Sequence, residues 1–398
     1  MRVLLVNKFW YPQGGAEAVV FRTKELLEKA GHTVAVFGMR HPKNIFQNDY
    51  FVDEVNYNNI SGWGKLKFAW RFISNAQARN NFERLVKDFH PDVVHLHNIY
   101  HQLSFSLLDI TRKLNIPVVM TLHDYKMISP NYNLYLRGKI DESACAHPFR
   151  CILNNCMENT GWSWLAVLEN YYRRWKNYAR QIDHYISPSN FLKDKFVQYG
   201  FAADKIAVVA NPYNARAVAA ETPDDGYILY FGRLAKEKGL DTLLAAAQKT
   251  PQIKYAIAGA GPEETRLKKF VENNNLANVD FLGYNTGARL EDIIARARIV
   301  VLPSVWYENY PLSVLEAQAR SKIVIASDIG GIPELVDEDF LVPPGDGMAL
   351  ASAIENTYRL SAPERQAIGR TLRARVEANN NSEQYLNQLI MVYEEAQK

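Results

Sequence analysis

Residues 3–38 read VLLVNKFWYPQGGAEAVVFRTKELLEKAGHTVAVFG. Val3 to Val6 is a short apolar run of strand type, and Pro12, Gly14 and Gly15 punctuate the loop after it. Ala16 to Ala30 carries apolar residues at helical spacing, Gly31 ends it, and His32 to Gly38 reads as a second strand. Strands buried on both faces appear as continuous apolar runs. Their alternation with helices implies a parallel sheet covered on both sides.

The theme repeats outward from this unit. Pro91–His97, Pro117–His123, His184–Ser189 and Ile206–Val209 are further strand-like runs, the last closed by Asn211-Pro212. A stretch poor in apolar residues, Ala219 to Gly226, interrupts the pattern. It restarts with strands at Tyr227–Phe231, Tyr255–Gly259, Val279–Gly283, Ile299–Leu302 and Ile323–Ser327, and helices at Leu240–Thr250 and Leu290–Arg298. The expected fold is therefore α/β: two Rossmann-like, doubly wound parallel-sheet domains facing a cleft, with ligands at the carboxyl ends of the strands. The expected boundaries are 1–212, a linker at 213–226, 227–381, and a helix at 382–398 that stays on the second domain or crosses back.

Composition narrows the function. A chain of 398 residues with 47% hydrophobic and 22% charged residues is neither disordered nor low-complexity. It has no apolar run of the ~20 residues that span a bilayer, and its N-terminal apolar stretch reads as a strand, so a cytoplasmic location is expected. The net charge of +3 is uneven: residues 1–212 hold 26 Lys and Arg against 18 Asp and Glu, and the remainder 20 against 25. All nine histidines lie in the first part. A basic half suits an anionic partner such as a phospholipid surface, or simply reflects two domains with different surfaces. No basic run or nucleic-acid motif is present, so nucleic acid is set aside.

Gly259-Ala260-Gly261-Pro262 follows a strand and opens a helix, reading as a phosphate contact or a tight turn. It lacks the third glycine and the acidic ribose reader of a nicotinamide site. More specific is PSVWYENYPLSVLEA at 303–317. Glu308 and Glu316 bracket a helix start, with Pro311 suited to its first turn. Two carboxylates so placed can accept from the hydroxyls of a ribose and of a sugar on either side of a diphosphate.

Here the chain resembles retaining glycosyltransferase family four, of GT-B fold. The resemblance runs through Gly14-Gly15, Thr121-Leu122-His123-Asp124, Asn211-Pro212, Phe231-Gly232-Arg233, Lys236-Glu237-Lys238-Gly239, Gly259 to Pro262, Glu308 to Glu316, and Gly330-Gly331-Ile332-Pro333-Glu334-Leu335. It implies that Arg233 and Lys238 hold the donor's diphosphate, that Glu316 binds the ribose, and that Glu308 and His123 contact the transferred sugar. It further implies donor contacts at Gly15, Gly261, Asn309, Tyr310, Leu312 and Ser313, and acceptor contacts at Gly14 and His97. The expected activity is transfer of a hexose-type sugar from a UDP- or GDP-linked donor to a glycan or lipid-linked acceptor, with no metal or other cofactor required. A nucleotide-sugar epimerase or hydrolase and a non-catalytic nucleotide-sugar-binding protein are the alternatives. Tyr284 is a candidate neighbour of the base.

Cys145, Cys151 and Cys156 fall within twelve residues, with His147 among them. Three thiolates and an imidazole form a candidate structural zinc set, against reduced packing cysteines as the plain reading; a disulfide is not expected in a reducing cytosol. Two stretches, Gly64–Phe82 and Trp162–Arg180, interleave aromatics with Lys and Arg. They suit either helices lying on an anionic membrane or helices packed on the first sheet.

Overall fold

The computed structural model describes residues 1–54, 70–215 and 223–398. Residues 64–69 of the first aromatic, basic stretch and 216–222 of the expected linker lie outside the described residues. The chain divides into two compact units: Met1–Leu136, Asp141–Val209 and Tyr385–Lys398 form the first, and Arg137–Ile140 with Ala210–Gln384 form the second.

Before residue 210 the strands are β1 (Arg2–Val6), β2 (Thr33–Phe37), β3 (Val93–Leu96), β4 (Val118–Thr121), a two-residue pair β5 (Tyr135–Leu136) and β6 (Lys139–Ile140), β7 (His184–Ser187) and β8 (Ile206–Val208). The pair β5 and β6 forms its own small sheet. The main sheet runs β2-β1-β3-β4-β7-β8, with every pairing parallel. Val3 to Val6 are fully buried, as a strand covered on both faces requires.

The second unit contains β9 (Tyr227–Phe231), β10 (Lys254–Ala258), β11 (Val279–Gly283), β12 (Ile299–Leu302), β13 (Ile323–Ser327) and β14 (Leu341–Val342). Their order is β11-β10-β9-β12-β13-β14, again all parallel. Successive residues of β9 serve opposite faces. Ile228 and Tyr230 join one hydrophobic cluster, Leu229 and Phe231 the other. β14 is too short to leave an apolar run, so it escapes a reading of periodicity.

In both sheets the chain order reverses beside the first strand, between β1 and β3 and between β9 and β12. Ligands of open parallel sheets bind outside the carboxyl ends of the strands at such reversals. The loops after β1, β3, β9 and β12 are thereby singled out by topology.

Two segments take their places from long-range packing. Tyr385, Leu389, Val392 and Tyr393 of the last helix (Ser382–Ala396) join the core of the first unit with Val3, Leu5 and Val20. Tyr385 Oη lies 2.7 Å from Thr23 Oγ1. Around the expected linker, Ala215 is buried in the second unit's core, and Asp224 holds Arg298 at 2.7 Å and Arg365 at 3.0 Å.

Candidate functional site

In the second unit the loops after β9 and β12 are joined through backbone and side chains. Gly239 has φ of +69°, and a Cβ there would lie 1.8 Å from the Pro303 carbonyl oxygen. Only glycine fits, and its absent side chain lets the two loops meet. Val305 then donates its backbone N–H to the Glu237 carbonyl at 3.0 Å.

This junction puts Lys238 Nζ 2.7 Å from Glu308 Oε1, although the residues are 70 apart in sequence. Ser304 Oγ donates to the same oxygen at 2.7 Å. Burial pushes the Glu308 carboxyl up, but the charge and hydrogen bond of Lys238, with hydrogen bonds from Trp306 and Ser304, together outweigh it, so the group stays below its ordinary value. The Glu308 backbone is gripped from the far side. Gly331 N–H donates to its carbonyl at 2.7 Å, and Gly330, at φ +66°, leaves no room for a Cβ, which would come within 2.4 Å of that oxygen. The Gly330-Gly331 pair thus fixes the loop that carries Glu308.

Arg233 leads out of β9 and pairs with the largely buried Glu237. Glu316 lies within the helix Leu312–Gln318, directly preceded by Pro311. Burial raises its carboxyl to about 7, opposed by Arg320 and reinforced by Glu291. Leu312 and Ser313 open that helix, and Tyr310 Oη accepts from Asn380 Nδ2 at 2.9 Å. Gly261 abuts the loop after β9: a Cβ there would lie 2.2 Å from the Leu234 carbonyl oxygen. Tyr284 is 72% exposed. Asn309 follows Glu308 in the same loop.

The first unit gathers different chemistry at its own reversal. Lys8 N–H donates to the Asn98 carbonyl at 2.9 Å, tying the loop after β1 to the loop after β3. Gly14 and Gly15 open the helix Gly15–Lys29. His97 Nδ1 lies 2.9 Å from His123 Nε2. His97 is fully buried. His123 remains half-buried just beyond the end of β4.

Beneath this pair, His95 Nδ1 meets Tyr393 Oη at 2.7 Å and His95 Nε2 meets Thr121 Oγ1 at 2.7 Å. Desolvation by burial lowers His95 to about 3 and His123 to about 4, and drives His97 and His101 well below the ordinary histidine value. The imidazoles are neutral.

Sequence reading gave no role to Lys8, Glu17 or to Asp124 of the Thr121–Asp124 motif. Burial lowers Lys8 despite the charges of Asp124 and Glu17, and it raises Glu17. It also raises Asp124 to about 6. The fully buried pair Lys126 Nζ–Glu169 Oε2, at 2.6 Å, leaves no local signal because 43 residues separate its members.

The cysteine expectation is corrected. Cys151 and Cys156 form a disulfide, their Cα atoms 4.7 Å apart, and Cys145 is buried and free. The short helix Arg150–Leu153 turns back so that Cys156 N–H reaches the Cys151 carbonyl at 2.8 Å. Among the described residues no group of three or more His, Cys, Asp and Glu side chains is placed to hold a metal.

Two Rossmann-like units, each with polar loops at the reversal of its sheet, define the GT-B class of glycosyltransferase. The family model for Glycosyltransferase Family 4 matches residues 13–216, and that for Glycosyl transferases group 1 matches 214–375. The chain belongs to glycosyltransferase family 4 and is a glycosyltransferase. It is 28% identical over 356 residues to an uncharacterised 42.6 kDa protein of the cps region of Klebsiella pneumoniae, covering 84% of this chain and 87% of that one. It is 23% identical over 373 residues to the O-antigen chain mannosyltransferase C of Escherichia coli, covering 90% and 89%. The solved structure of Anabaena HepE in complex with UDP and glucose matches with a TM-score of 0.66 at 19% identity, over 98% of each chain, a likeness of fold.

Proposed function

We propose that the protein transfers a hexose-type sugar from a UDP- or GDP-linked donor to a glycan or lipid-linked acceptor in polysaccharide biosynthesis, with retention at the anomeric carbon. One observation carries the reading: the Lys238–Glu308 pair at the reversal of the second sheet, in two loops locked by the glycine-dependent approaches of Gly239 to Pro303 and Gly330 to Glu308. Arg233 and Lys238 receive the donor's diphosphate and stabilise the charge that grows on it as the bond to the sugar breaks, commonly the largest contribution in such sites. Glu316 accepts from the ribose hydroxyls. Glu308 and His123 are assigned to the sugar, and Gly15 with the backbone of Asn309, Tyr310, Leu312 and Ser313 to the donor. Gly14 is assigned to the acceptor.

The anomeric carbon parts from the phosphate oxygen while the acceptor oxygen bonds to it on the same face. The acceptor's proton passes to the leaving phosphate oxygen, giving the nucleoside diphosphate and the glycoside. A neutral His123 is suited to a hydrogen bond with an uncharged sugar hydroxyl. The UDP-and-glucose complex of HepE and the mannosyltransferase of Escherichia coli support a nucleotide-sugar donor and a glycan product. A cytoplasmic protein working at the inner face of the membrane fits a lipid-linked acceptor.

A thermal-shift panel of UDP, GDP, ADP and their sugars, on the wild type and Glu316→Ala, tests this. A nucleotide at a hundred times its dissociation constant adds about 2.7 kcal/mol. We expect UDP or GDP to stabilise the wild type and the variant to lose the effect. Stabilisation by none of them, or equal stabilisation of the variant, overturns the donor site. Donor turnover at full rate without any acceptor points instead to the hydrolase or epimerase.

A further inference from the structure

The helix Thr160–Trp175 has two faces of opposite character. Leu165, Ala166, Val167, Glu169, Asn170 and Arg173 are buried against the first unit. On the opposite face, Trp164 is 49% exposed, Leu168 50%, Tyr171 47% and Trp175 76%. The spacing 164, 168, 171, 175 is that of one continuous helical stripe. The stripe widens at both ends. Phe149, of the neighbouring short helix region, meets Trp164 edge-on at 6.5 Å, with Leu153 exposed beside it. Trp70 meets Tyr172 edge-on at 6.0 Å and is itself exposed. Scattered exposed apolar residues are ordinary; a contiguous band of large ones is not.

The exposed charges around the band are mostly basic. Arg150, Arg174 and Arg180 are exposed and Lys176 is half-buried, 3.6 Å from Asp109, while Glu158 is the one exposed acid among residues 144–180. The other acid there, Glu169, is buried on Lys126. Arg174 lies about 90° round the helix from the stripe, where a long cation can reach a headgroup while the stripe enters the acyl boundary. Tryptophan and tyrosine favour that boundary because each joins an apolar ring to a polar edge. A second copy of the chain would press these like charges together across a two-fold axis.

We propose that this band docks the first unit on an anionic lipid surface, with Trp164, Leu168, Tyr171 and Trp175 inserted and Arg150 and Arg174 on the headgroups. This assigns a face to the membrane site of action proposed above. It rests on that reading for its purpose and not for its test. No described helix is long and apolar enough to cross a membrane, so contact here is by lying on the surface.

The test is co-sedimentation of the full chain with vesicles of phosphatidylcholine alone or mixed with phosphatidylglycerol, and the nucleotide thermal shift is read on the same samples. The wild type should bind the mixed vesicles and release from them in high salt. The double variant Trp164→Ser with Trp175→Ser should lose at least about tenfold in vesicle affinity while keeping its melting temperature and nucleotide response. Met391→Ser, at another exposed apolar site, should bind like the wild type. No binding of the wild type to mixed vesicles overturns the proposal. So does a loss of less than about twofold in the double variant, or a vesicle-free dimer that the double variant dissolves. Lost vesicle binding with an intact nucleotide shift leaves the donor reading standing, and the reverse result leaves the lipid face standing.

Discussion

The loops after β9 and β12 and the histidine group around β3 and β4 are built on opposite electrostatic plans. In the second unit Glu308 is buried yet kept ionised, because Lys238 and Ser304 meet one of its oxygens. In the first unit His95 and His97 are buried and His101 and His123 half-buried, and desolvation keeps all four neutral, with hydroxyls and another imidazole as partners of His95 and His97. Fixed charge suits the diphosphate role proposed for the one region, and neutral rings suit the sugar-hydroxyl role proposed for the other. The same sheet architecture thus carries either chemistry, decided by whether a counter-ion accompanies the buried group.

Acid should break the comparison most sharply. An imidazole whose folded pKa lies below its unfolded value binds fewer protons in the native state. Its contribution is therefore intact above about pH 6.5 and lost as pH falls. Each of these four desolvated rings of the first unit costs up to about 1.4 kcal/mol per pH unit below that point. Hydrogen exchange between pH 7 and 5 should show the first unit opening before the second, which has no histidine. Simultaneous opening of both would refute the contrast.

Next in size is Lys238→Ala. It removes the cation from a buried carboxylate and from the proposed diphosphate site. Transfer should fall by roughly 10²- to 10³-fold, and stability by about 3 kcal/mol in urea titrations. A variant of unchanged stability would mean that Glu308 does not depend on its partner.

Gly330→Ala should cost about 2–4 kcal/mol, since it combines positive φ with a clash against the Glu308 carbonyl. Gly345→Ala, also at positive φ but with nothing within 4 Å, should cost about 1 kcal/mol. The difference between the two melting shifts measures how tightly the Glu308 loop is held.

Tyr393→Phe strips His95 Nδ1 of its partner and should cost about 1–3 kcal/mol. It should also release protection of the last helix in hydrogen exchange.

A pH dependence sharpens the comparison within the second unit. Glu316 lacks the close cation that Glu308 has, and its folded pKa is raised to about 7. The native state then binds more protons than the unfolded chain between about pH 4.5 and 7, and this group's contribution declines as pH rises through that window. Glu316→Gln should remove the decline, raising the melting temperature of the unliganded protein at pH 8 while weakening nucleotide binding. Equal pH dependence of wild type and variant would rule out the raised carboxyl.

The parallel sheets and the position of the Glu308–Glu316 motif were legible because each rests on local pattern. A strand buried on both faces must be apolar throughout, and a helix must follow within a few residues. Glycines at 239 and 330 were visible as residues, but their purpose was not, because the carbonyls they accommodate belong to Pro303 and Glu308. The cysteine cluster misled for the same reason: spacing alone does not say that a short helix folds Cys156 back on Cys151.

What the sequence by itself determined is the alternation of strands and helices, the two-unit plan and the family. These follow from periodicity and from motifs contiguous in the chain. Only the tertiary structure decided the strand order that brings Lys238 to Glu308. It alone packed the last helix into the first unit through Tyr385 and Tyr393, and it alone made His97 a buried partner of His123. Each of these is a contact between residues 26 to 362 positions apart, and burial in such contacts sets whether a side chain is charged.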